Sequence, residues 1–330
     1  MDKFKAYRIH EIEKKAVARF EDLSLEDLDP GEVVVRVAYS SVNYKDALAA
    51  TGAGKIIRRF PCVGGIDLSG TVTESADARF LRGDAVICTS YDLGVARDGG
   101  YAEYARVPAD WVVPMPKGMS LFEAMALGTA GYTAGLAIVR MEANGLAPAN
   151  GPVVVSGATG GVGSIAIDIL SRLGYRAVAL TGKENESGYL KGLGAKEVMS
   201  RKSLDLSKIK PLDKATWAGA VDNLGGEVLA WMASTMMQGG TIASIGLAAS
   251  MNLNTSVAPF ILRGVSLLGI DSGATPMPLR REVWRRLAGD MRPAHLREMT
   301  RTIPFDELPG AFEGLLKGAA KGRIVVDLAA

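Results

Sequence analysis

Apolar and polar positions follow two different patterns along the chain, and the change between them divides the sequence. In the first part, short apolar and β-branched runs are bounded by Gly, Pro and Asp, which predicts strands at residues 33–37, 70–73, 85–88 and 104–107. Closely spaced short strands are typical of a small barrel or sandwich. The sequence therefore predicts a β-rich domain at its beginning.

After Pro114 the pattern changes to strands that alternate with helices. A long helical segment runs from Ser120 towards Val139, and helices are also predicted between the next three strands, near 187–193 and near 228–237. The predicted strands are residues 153–156, 177–180, 197–199, 220–223, 241–245 and 265–270. This alternation predicts a doubly wound parallel sheet.

The last sixty or so residues predict two helices, near 281–287 and 308–317, and a final strand at 323–328. We therefore predict an α/β protein in three segments. They are a β-rich domain at 1–123, a doubly wound nucleotide-binding domain at 124–270 and a return segment at 271–330.

A glycine cluster follows the strand 153–156 and precedes a helix with Ile165 and Ile169 on one face. Strand, glycine turn and helix form the context in which such glycines indicate dinucleotide binding. Glycine lets backbone N–H groups approach a pyrophosphate, and the helix N-terminus carries a partial positive charge. The residues predicted to cradle the pyrophosphate are Gly160, Gly161, Val162 and Gly163.

The end of the second strand of this unit selects the nucleotide. NAD-specific sites have an Asp or Glu there that binds the ribose diol, whereas this chain has Thr181, Gly182 and Lys183. Arg201, after the third strand, is placed to give a forked contact to a 2′-phosphate. Lys183 or Arg201 alone would be read as a solvated loop charge, but the missing acid together with two bases predicts NADPH.

Five further residues are predicted near the cofactor. Asn223, Gly246 and Leu247 close the fourth and fifth strands at their carboxyl ends, where doubly wound sheets bind ligands. Thr133 lies on the linking helix and is predicted to approach the nicotinamide side. Arg323, on the last strand, is placed either to approach the cofactor or CoA or to form only a salt bridge.

Charge, cysteine content and hydropathy exclude several classes of protein. Lys and Arg number 38 against 36 Asp and Glu, a net charge of +2, so no nucleic-acid or membrane partner is expected. Two cysteines, Cys62 and Cys88, cannot form a disulfide framework or a Cys-rich metal site. The N-terminus has no apolar leader and no run is long enough to span a bilayer, so we expect a cytoplasmic protein.

A β-rich unit, a nucleotide-binding unit and a return segment together resemble the medium-chain dehydrogenase/reductase superfamily. The resemblance implies a GroES-like catalytic domain completed by the C-terminal segment. Zinc alcohol dehydrogenases of this superfamily bind catalytic zinc through Cys, His and Cys; Asn43, Ile66 and Thr129 occupy the matching positions. An alkyl group cannot ligate zinc, and a neutral amide and hydroxyl are poor ligands, so no metal is expected.

Within the superfamily, the chain resembles the acrylyl-CoA reductase group of the quinone-oxidoreductase-like branch. The segments that carry this resemblance are 41–48, 51–58, 61–67, 217–220 and 259–263. Gly64-Gly65 stands where the group usually has Pro-Gly. The resemblance implies NADPH-dependent reduction of acrylyl-CoA to propionyl-CoA. It also implies a homodimer built on the strand 265–270, whose apolar edge would otherwise be exposed.

Tyr44 is predicted beside the nicotinamide, where its ring would pack and its hydroxyl would bind cofactor or thioester oxygen. Asn43 and Asp46 are predicted either to orient the substrate or to cap a turn. A basic cluster lies between the first two predicted strands and either binds the phosphates of CoA or forms a solvated loop. Its members are Lys55, Arg58 and Arg59.

Two other functions stay open on the sequence alone. A quinone or enone reductase would use the same hydride geometry without a CoA site, because the developing charge delocalises within the substrate. A non-enzymatic NADPH-binding protein would keep the fold without the chemistry. Direct ketone chemistry is disfavoured, because no Lewis acid is expected to polarise the carbonyl.

Overall fold

The computed structural model describes residues 3–318 and 320–328. Its strands are β1 (Phe4–Ile12), β2 (Lys15–Leu23), β3 (Val33–Ser41), β4 (Cys62–Val63), β5 (Asp67–Ser75), β6 (Ala85–Thr89), β7 (Tyr104–Val107), β8 (Val112–Pro114), β9 (Val153–Ser156), β10 (Ala177–Thr181), β11 (Glu197–Ser200), β12 (Trp217–Asp222), β13 (Met236–Ser244), β14 (Ser266–Gly269), β15 (Thr300–Pro304) and β16 (Arg323–Asp327). Its helices are α1 (Tyr44–Thr51), α2 (Leu121–Ala143), α3 (Gly161–Arg172), α4 (Ser187–Gly192), α5 (Gly226–Thr235), α6 (Ala258–Arg263), α7 (Met277–Ala288) and α8 (Leu308–Leu316).

The chain divides into two compact units. The first unit comprises Met1–Thr129, Gly273–Arg281 and Leu296–Ala330, and the second comprises Ala130–Ser272 and Glu282–His295. Most of the C-terminal segment thus belongs to the first unit. Residues 282–295 group with the second unit, whereas the sequence analysis assigned all of 271–330 to one return segment.

The first unit is built from two sheets. A seven-stranded sheet has the order β15-β16-β3-β5-β6-β8, with β7 also paired to β3, and a smaller sheet has the order β2-β1-β4. All pairs except β15–β16 are antiparallel. Alternate residues of β3, such as Val33, Val35 and Val37, are buried in the core. This is the predicted β-rich, GroES-like part of the α/β fold.

The second unit holds six parallel strands in the order β11-β10-β9-β12-β13-β14. Numbered from β9, this is the 3-2-1-4-5-6 order of a doubly wound dinucleotide-binding sheet. The strand order reverses between β9 and β12, and ligands bind doubly wound sheets in the crevice at this point. The predicted doubly wound sheet is confirmed.

Helix α2 has the length and apolar character of a membrane-spanning helix. However, 78% of its most apolar 18-residue stretch is buried inside the protein, which is the environment of a core helix. The helix is interrupted at Gly128, whose φ of 52° and ψ of −156° are not helical. A positive φ of this kind is accessible to glycine without the strain that a side chain would impose.

One predicted helix ends earlier than its pattern suggested. The helix predicted at 228–237 ends at Thr235, and Met236 begins strand β13. The Arg263 guanidinium donates to the carbonyl oxygens of Ser234 at 3.0 Å and Met236 at 2.9 Å. A side chain nearly thirty positions along the chain therefore binds the backbone where the helix stops, and local periodicity contains no sign of it.

Candidate active site

The turn after β9 brings the start of α3 close to the strand end. Gly157 has a φ of 57°, and a Cβ built on Gly163 would lie 2.4 Å from the Gly157 carbonyl oxygen. Only glycine at 163 permits this approach. Helix α3 begins at Gly161 after the N-cap Gly160, and the first-turn N–H groups of a helix have no intrahelical acceptor. The turn therefore fits a pyrophosphate.

Asn223 lies beside this turn, at the switch point between β9 and β12. Its backbone N–H donates to Ser156 Oγ at 2.9 Å, and its Nδ2 donates to the Ser156 carbonyl oxygen at 2.7 Å. These two bonds fix the side chain. Its Oδ1 is buried and has no hydrogen-bond partner among the described residues. Such an acceptor is costly unless a ligand donates to it, and a hydroxyl or amide of a dinucleotide would do so.

The end of β13 approaches Asn223 through a glycine. A Cβ at Gly246 would lie 2.3 Å from the Asn223 carbonyl oxygen, so a side chain at 246 would displace the switch-point residue. The neighbouring Leu247 side chain is exposed. Thr133 is buried on α2. Gly246 and Asn223 therefore lie in direct contact at the carboxyl ends of β13 and β12, where doubly wound sheets bind ligands.

The end of β10 holds the residues predicted to select the nucleotide. Thr181 is buried, and its Oγ1 accepts a hydrogen bond from the Lys183 backbone N–H at 2.9 Å, so the hydroxyl shapes the loop. Arg201 is exposed, and its guanidinium covers Gly182, where a Cβ would lie 3.4 Å from Nη2. Arg201 also lines a cavity of about 360 Å³ with Glu227 and other residues. The loop therefore presents a forked cation at the predicted position.

In the first unit, the three positions that match zinc ligands of the superfamily converge on a buried carboxylate pair. Asn43 Nδ2 donates to Asp67 Oδ2 at 2.8 Å and to Asp46 Oδ2 at 3.1 Å. The Ile66 backbone N–H donates to Asp46 Oδ1 at 3.0 Å. The Thr129 hydroxyl donates to Asp67 Oδ1 at 2.5 Å. An amide, an alkyl group and a hydroxyl do not suit catalytic zinc. Here the Asn43 side chain, the Ile66 backbone and the Thr129 side chain belong to one hydrogen-bond network.

Arg323 is buried in the same network. Its Nε donates to the Ala126 carbonyl oxygen at 3.0 Å, its Nη1 to Asn43 Oδ1 at 3.2 Å and its Nη2 to Ser41 Oγ at 2.9 Å. Burial lowers the pKa of this guanidinium, although Asp67 and Asp46 oppose the effect. The side chain therefore joins the return strand to the network, and its predicted contact with cofactor or CoA stays a prediction.

The break in α2 at Gly128 is explained by this network. A Cβ at Gly128 would lie 2.7 Å from each of three polar atoms, Arg323 Nη2, Asp67 Oδ2 and Ser41 Oγ. No side chain fits there. The chain passes over the buried polar groups in a conformation that glycine adopts without strain.

Burial and mutual repulsion set the charge of the carboxylate pair. Burial, followed by the charge of Asp67, raises the pKa of Asp46 to about 7. Hydrogen bonds from Asn43 and Ile66 oppose this rise. Burial also raises the pKa of Tyr101 well above its usual value, and the Tyr101 hydroxyl donates to the Ser41 carbonyl oxygen at 2.9 Å. The network therefore holds an exchangeable proton near neutral pH.

Asn43 and Asp46, two of the three residues predicted for catalysis, stabilise the start of α1. Asp46 Oδ2 accepts a hydrogen bond from the Asn43 backbone N–H at 2.9 Å, which caps the start of α1. The capping alternative for Asn43 and Asp46 is thus present in the structure. Tyr44, the first residue of α1, is 53% exposed, so its ring and hydroxyl are accessible to a ligand.

The basic cluster is less uniform than its sequence suggested. Arg59 forms an ion pair with Asp29, and its Nε donates to the Ala96 carbonyl oxygen at 3.1 Å. Arg58 is 70% exposed and lies 3.1 Å from an Asp92 carboxylate oxygen. Lys55 is exposed. Arg59 is therefore tied to neighbouring segments, whereas Lys55 and Arg58 are exposed, and their predicted contact with CoA phosphates stays a prediction.

The sequence analysis gave no function to several residues that organise the site. Asp67, Ser41, Ser90 and Tyr101 are buried polar residues at or beside the network. A local signal existed for Ser41 and Asp67, since both lie in the segments that carry the family resemblance. Nothing local indicated that Tyr101 would meet them.

Comparison with known protein families covers both units. The family "Alcohol dehydrogenase GroES-like domain" matches residues 29–117, and "Zinc-binding dehydrogenase" matches residues 161–289. A Bacillus subtilis protein, YhfP, provisionally named a quinone oxidoreductase, is 50% identical over 307 residues that cover 93% of each chain. Acrylyl-CoA reductase AcuI of Ruegeria pomeroyi is 46% identical over 314 residues that cover 95% of each chain.

Solved structures agree with these matches. The yhdH oxidoreductase of Salmonella enterica, in complex with NADP, has a TM-score of 0.95 and 43% identity over 98% of this chain and 99% of that chain. Bacillus subtilis yhfP, with NAD bound, has a TM-score of 0.97 and 47% identity over 99% of this chain and 100% of that chain.

Fold, site and relatives define a two-domain oxidoreductase with a GroES-like unit and a Rossmann-type unit. The chain belongs to the quinone-oxidoreductase-like branch of the medium-chain dehydrogenase/reductase superfamily, in the group that includes acrylyl-CoA reductase AcuI.

Proposed function

We propose that this oxidoreductase uses NADPH to reduce the C=C bond of acrylyl-CoA and forms propionyl-CoA without a metal. The observation that carries the proposal is the 46% identity to acrylyl-CoA reductase of Ruegeria pomeroyi over 95% of both chains. Short enoyl-CoA thioesters suit such a site, because the charge that develops during reduction is delocalised into the thioester carbonyl.

The second unit supports NADPH as the cofactor. The N-terminus of α3 would hold the pyrophosphate, and Asn223 Oδ1 would accept a hydrogen bond from the dinucleotide. Arg201 and Lys183 would bind the 2′-phosphate, which an acidic residue at the end of β10 would repel. The Salmonella relative was solved with NADP, and the Bacillus relative with NAD. The forked cation at Arg201 favours NADPH for this chain.

The first unit would bind and orient the thioester. When bound, NADPH would supply a hydride to Cβ, and the π electrons would move towards the thioester oxygen. The exposed Tyr44 hydroxyl would donate a hydrogen bond to that oxygen, and its ring would exclude water from the reacting atoms. Asn43 and Asp46 would fix the start of α1, which carries Tyr44. Lys55 and Arg58 would contact the CoA phosphates.

Quinone or enone reduction is the second candidate, because the Bacillus protein at 50% identity carries a quinone oxidoreductase name. A quinone needs no phosphate contacts, so the two functions differ in their dependence on the nucleotide part of the substrate.

NADPH oxidation with acrylyl-CoA, crotonyl-CoA, free acrylate and a small quinone separates these functions. We expect acrylyl-CoA to be reduced with the highest kcat/KM and free acrylate to be a poor substrate, because remote binding energy positions the C=C bond. Efficient reduction of the quinone with no turnover of acrylyl-CoA would replace the first proposal by the second.

A further inference from the structure

The Thr129 hydroxyl is a half-buried hydroxyl in direct contact with the buried carboxylate pair. Thr129 is half-buried, whereas Asp67, Asp46 and Ser90 are buried. Its Oγ1 lies 2.5 Å from Asp67 Oδ1 and 3.0 Å from Ser90 Oγ. A carboxyl, a threonine hydroxyl and a serine hydroxyl therefore form a continuous hydrogen-bonded chain.

The two carboxylate oxygens of Asp67 have different hydrogen-bond partners. Oδ2 accepts from Ser41 Oγ at 2.6 Å, from Asn43 Nδ2 at 2.8 Å and from the Thr129 backbone N–H at 2.9 Å. Three donors occupy that oxygen. The other oxygen, Oδ1, faces the Thr129 hydroxyl.

Asp46 contacts amide N–H groups and one hydroxyl, that of Tyr101. Its carboxylate oxygens accept from the Asn43 backbone N–H, from Asn43 Nδ2 and from the Ile66 backbone N–H. An amide N–H cannot accept a proton in return, but a hydroxyl both donates and accepts. Tyr101 is buried, whereas Thr129 is half-buried, so the Thr129 hydroxyl is the better placed of the two to pass a proton from the pair to a ligand.

Charge balance supports one proton on the pair. The buried ionisable groups that face it are Arg323 on β16 and Tyr101, whose neutral form burial favours. Two carboxylates and one guanidinium carry a net charge of −1, and one added proton makes the cluster neutral. A neutral cluster is the cheapest to bury. The raised pKa of Asp46 agrees with this count.

Ser90 is held in a backbone conformation that places its hydroxyl against Thr129. Its φ is 65°, and that of Tyr91 is 51°, so two successive residues with side chains adopt the left-handed region. The Ser90 backbone N–H donates to the Ile66 carbonyl oxygen at 2.7 Å, and that of Tyr91 donates to the Gly273 carbonyl oxygen at 3.1 Å. Strain of this kind persists where the surrounding structure enforces it and is common at functional sites.

We propose that the Thr129 hydroxyl delivers the proton to Cα of the enoyl thioester, that the buried carboxyl pair replaces this proton, and that Ser90 is a positioning residue for Thr129. The proposal rests on the proposed function. After hydride addition at Cβ, the electron pair of the enolate forms the new Cα–H bond as the Thr129 O–H bond breaks. The threonine oxygen regains a proton from the carboxyl pair across its hydrogen bond to Asp67 Oδ1, the pair gains one negative charge, and solvent later reprotonates the pair.

The test compares Thr129→Val, which removes the hydroxyl at nearly constant volume, with Thr129→Ser, which keeps it. We expect Thr129→Val to lower kcat for acrylyl-CoA by about 10²-fold, the usual size of a general-acid contribution. We also expect a larger solvent deuterium isotope effect on kcat, because proton transfer becomes the slow step. Thr129→Ser should retain a kcat within about threefold of the unmutated enzyme and its isotope effect.

Thr73→Val provides the matched control, because Thr73 is a half-buried threonine further along β5 whose hydroxyl donates to the Val34 carbonyl oxygen at 3.3 Å. It should change neither kcat nor the isotope effect. Thermal melting and NADPH fluorescence titration verify that each variant is folded and binds the cofactor. Thr129→Ala replaces Thr129→Val should the latter fail to fold.

A Thr129→Val enzyme with kcat within about twofold of the unmutated enzyme and an unchanged isotope effect overturns the proposal. An equal loss of kcat in Thr129→Val and Thr129→Ser also overturns it. So does a result in which Tyr44→Phe, and not Thr129→Val, lowers kcat and enlarges the solvent isotope effect. If the unmutated enzyme does not reduce acrylyl-CoA, the proposed function fails separately. The same variants are then compared with crotonyl-CoA, and an unchanged kcat again rejects Thr129 as the donor. If only the quinone is reduced, the proposal is overturned together with the function, because a quinone has no thioester Cα to protonate.

Discussion

Arg201 lies across Gly182: a Cβ built on Gly182 would be 3.4 Å from Nη2 and 3.8 Å from Nε of Arg201. The planar guanidinium therefore covers the peptide at the end of β10, where NAD-specific sheets place an acidic side chain. A Cβ at position 182 would be in van der Waals contact with this guanidinium. The pairing of Gly182 with Arg201 is the structural basis for the cofactor prediction.

We expect NADPH to be preferred over NADH by at least about tenfold in kcat/KM. The double variant Lys183→Ala with Arg201→Ala should remove about 2–4 kcal/mol of this discrimination, because that is the size of two charged hydrogen bonds. Steady-state kinetics with both cofactors measures the effect. Lys191→Ala, an exposed lysine on α4, is the matched charge control. Equal use of both cofactors by the unmutated enzyme would contradict the assignment.

Activity is expected to be independent of metal, because Asn43, Ile66 and Thr129 offer no zinc-ligand set. Prolonged dialysis against a chelator should leave kcat unchanged, and elemental analysis of the purified protein should find no stoichiometric zinc. One tightly bound zinc ion per chain would show that the interpretation of these positions is wrong.

Charge reversal in the basic cluster should act on the substrate and spare the cofactor. Lys55→Glu with Arg58→Glu is expected to raise KM for acrylyl-CoA by about tenfold or more through loss of phosphate contacts, with little effect on NADPH binding. Arg59 is left intact, because a carboxylate at 59 would face Asp29 and Asp98 and destabilise the unit. Lys117→Glu, on an exposed turn, serves as the control. An unchanged KM for acrylyl-CoA would show that Lys55 and Arg58 do not bind the CoA phosphates.

Asp46 should make stability depend on pH in a defined direction. Its pKa rises from 3.8 to about 7 on folding, so the folded chain binds the extra proton between these values. This contribution to stability is fully present below about pH 4 and is lost as pH rises to about 7, by up to about 4 kcal/mol. Asp46→Asn should flatten this dependence, because an amide does not titrate in this range.

Urea unfolding of the unmutated protein and Asp46→Asn at several pH values measures the difference. Asp306→Asn, at an exposed position, is the control and should leave the pH dependence unchanged. A parallel pH dependence in the unmutated protein and Asp46→Asn would show that Asp46 does not take up the proton on folding.

Association is expected through the free edge of the second sheet. Strand β14 lies at the end of the strand order, and Ile261, Leu262 and Leu267 near it are exposed apolar side chains. Pairing with a second copy would cover this edge, so we expect at least a dimer in light scattering at micromolar concentration. Leu262→Asp with Leu267→Asp should shift the mass towards the monomer. A monomeric unmutated protein would rule out this interface.

The sequence by itself determined the class of fold and the strand, glycine turn and helix that indicate a dinucleotide cofactor. Strands β7 and β9 have the bounds that their apolar runs predicted, and the doubly wound sheet follows from the alternation of strands and helices. These features rest on short-range patterns: a two-residue period, a glycine turn and a helix face. The same local signals were too weak for the β1–β2 hairpin, whose many charged side chains hid the alternation of buried and exposed positions.

Tertiary structure alone decided the chemistry of the first unit. Arg323 meets Asn43 across 280 positions of sequence, and Thr129 meets Asp67 across 62. Periodicity reports which face of an element is buried, but it does not report which polar groups become neighbours. Arg59 likewise looked like one of three equivalent cations until its ion pair with Asp29 was visible. Contacts between distant segments set burial, charge and proton position, and these quantities exist only in the folded chain.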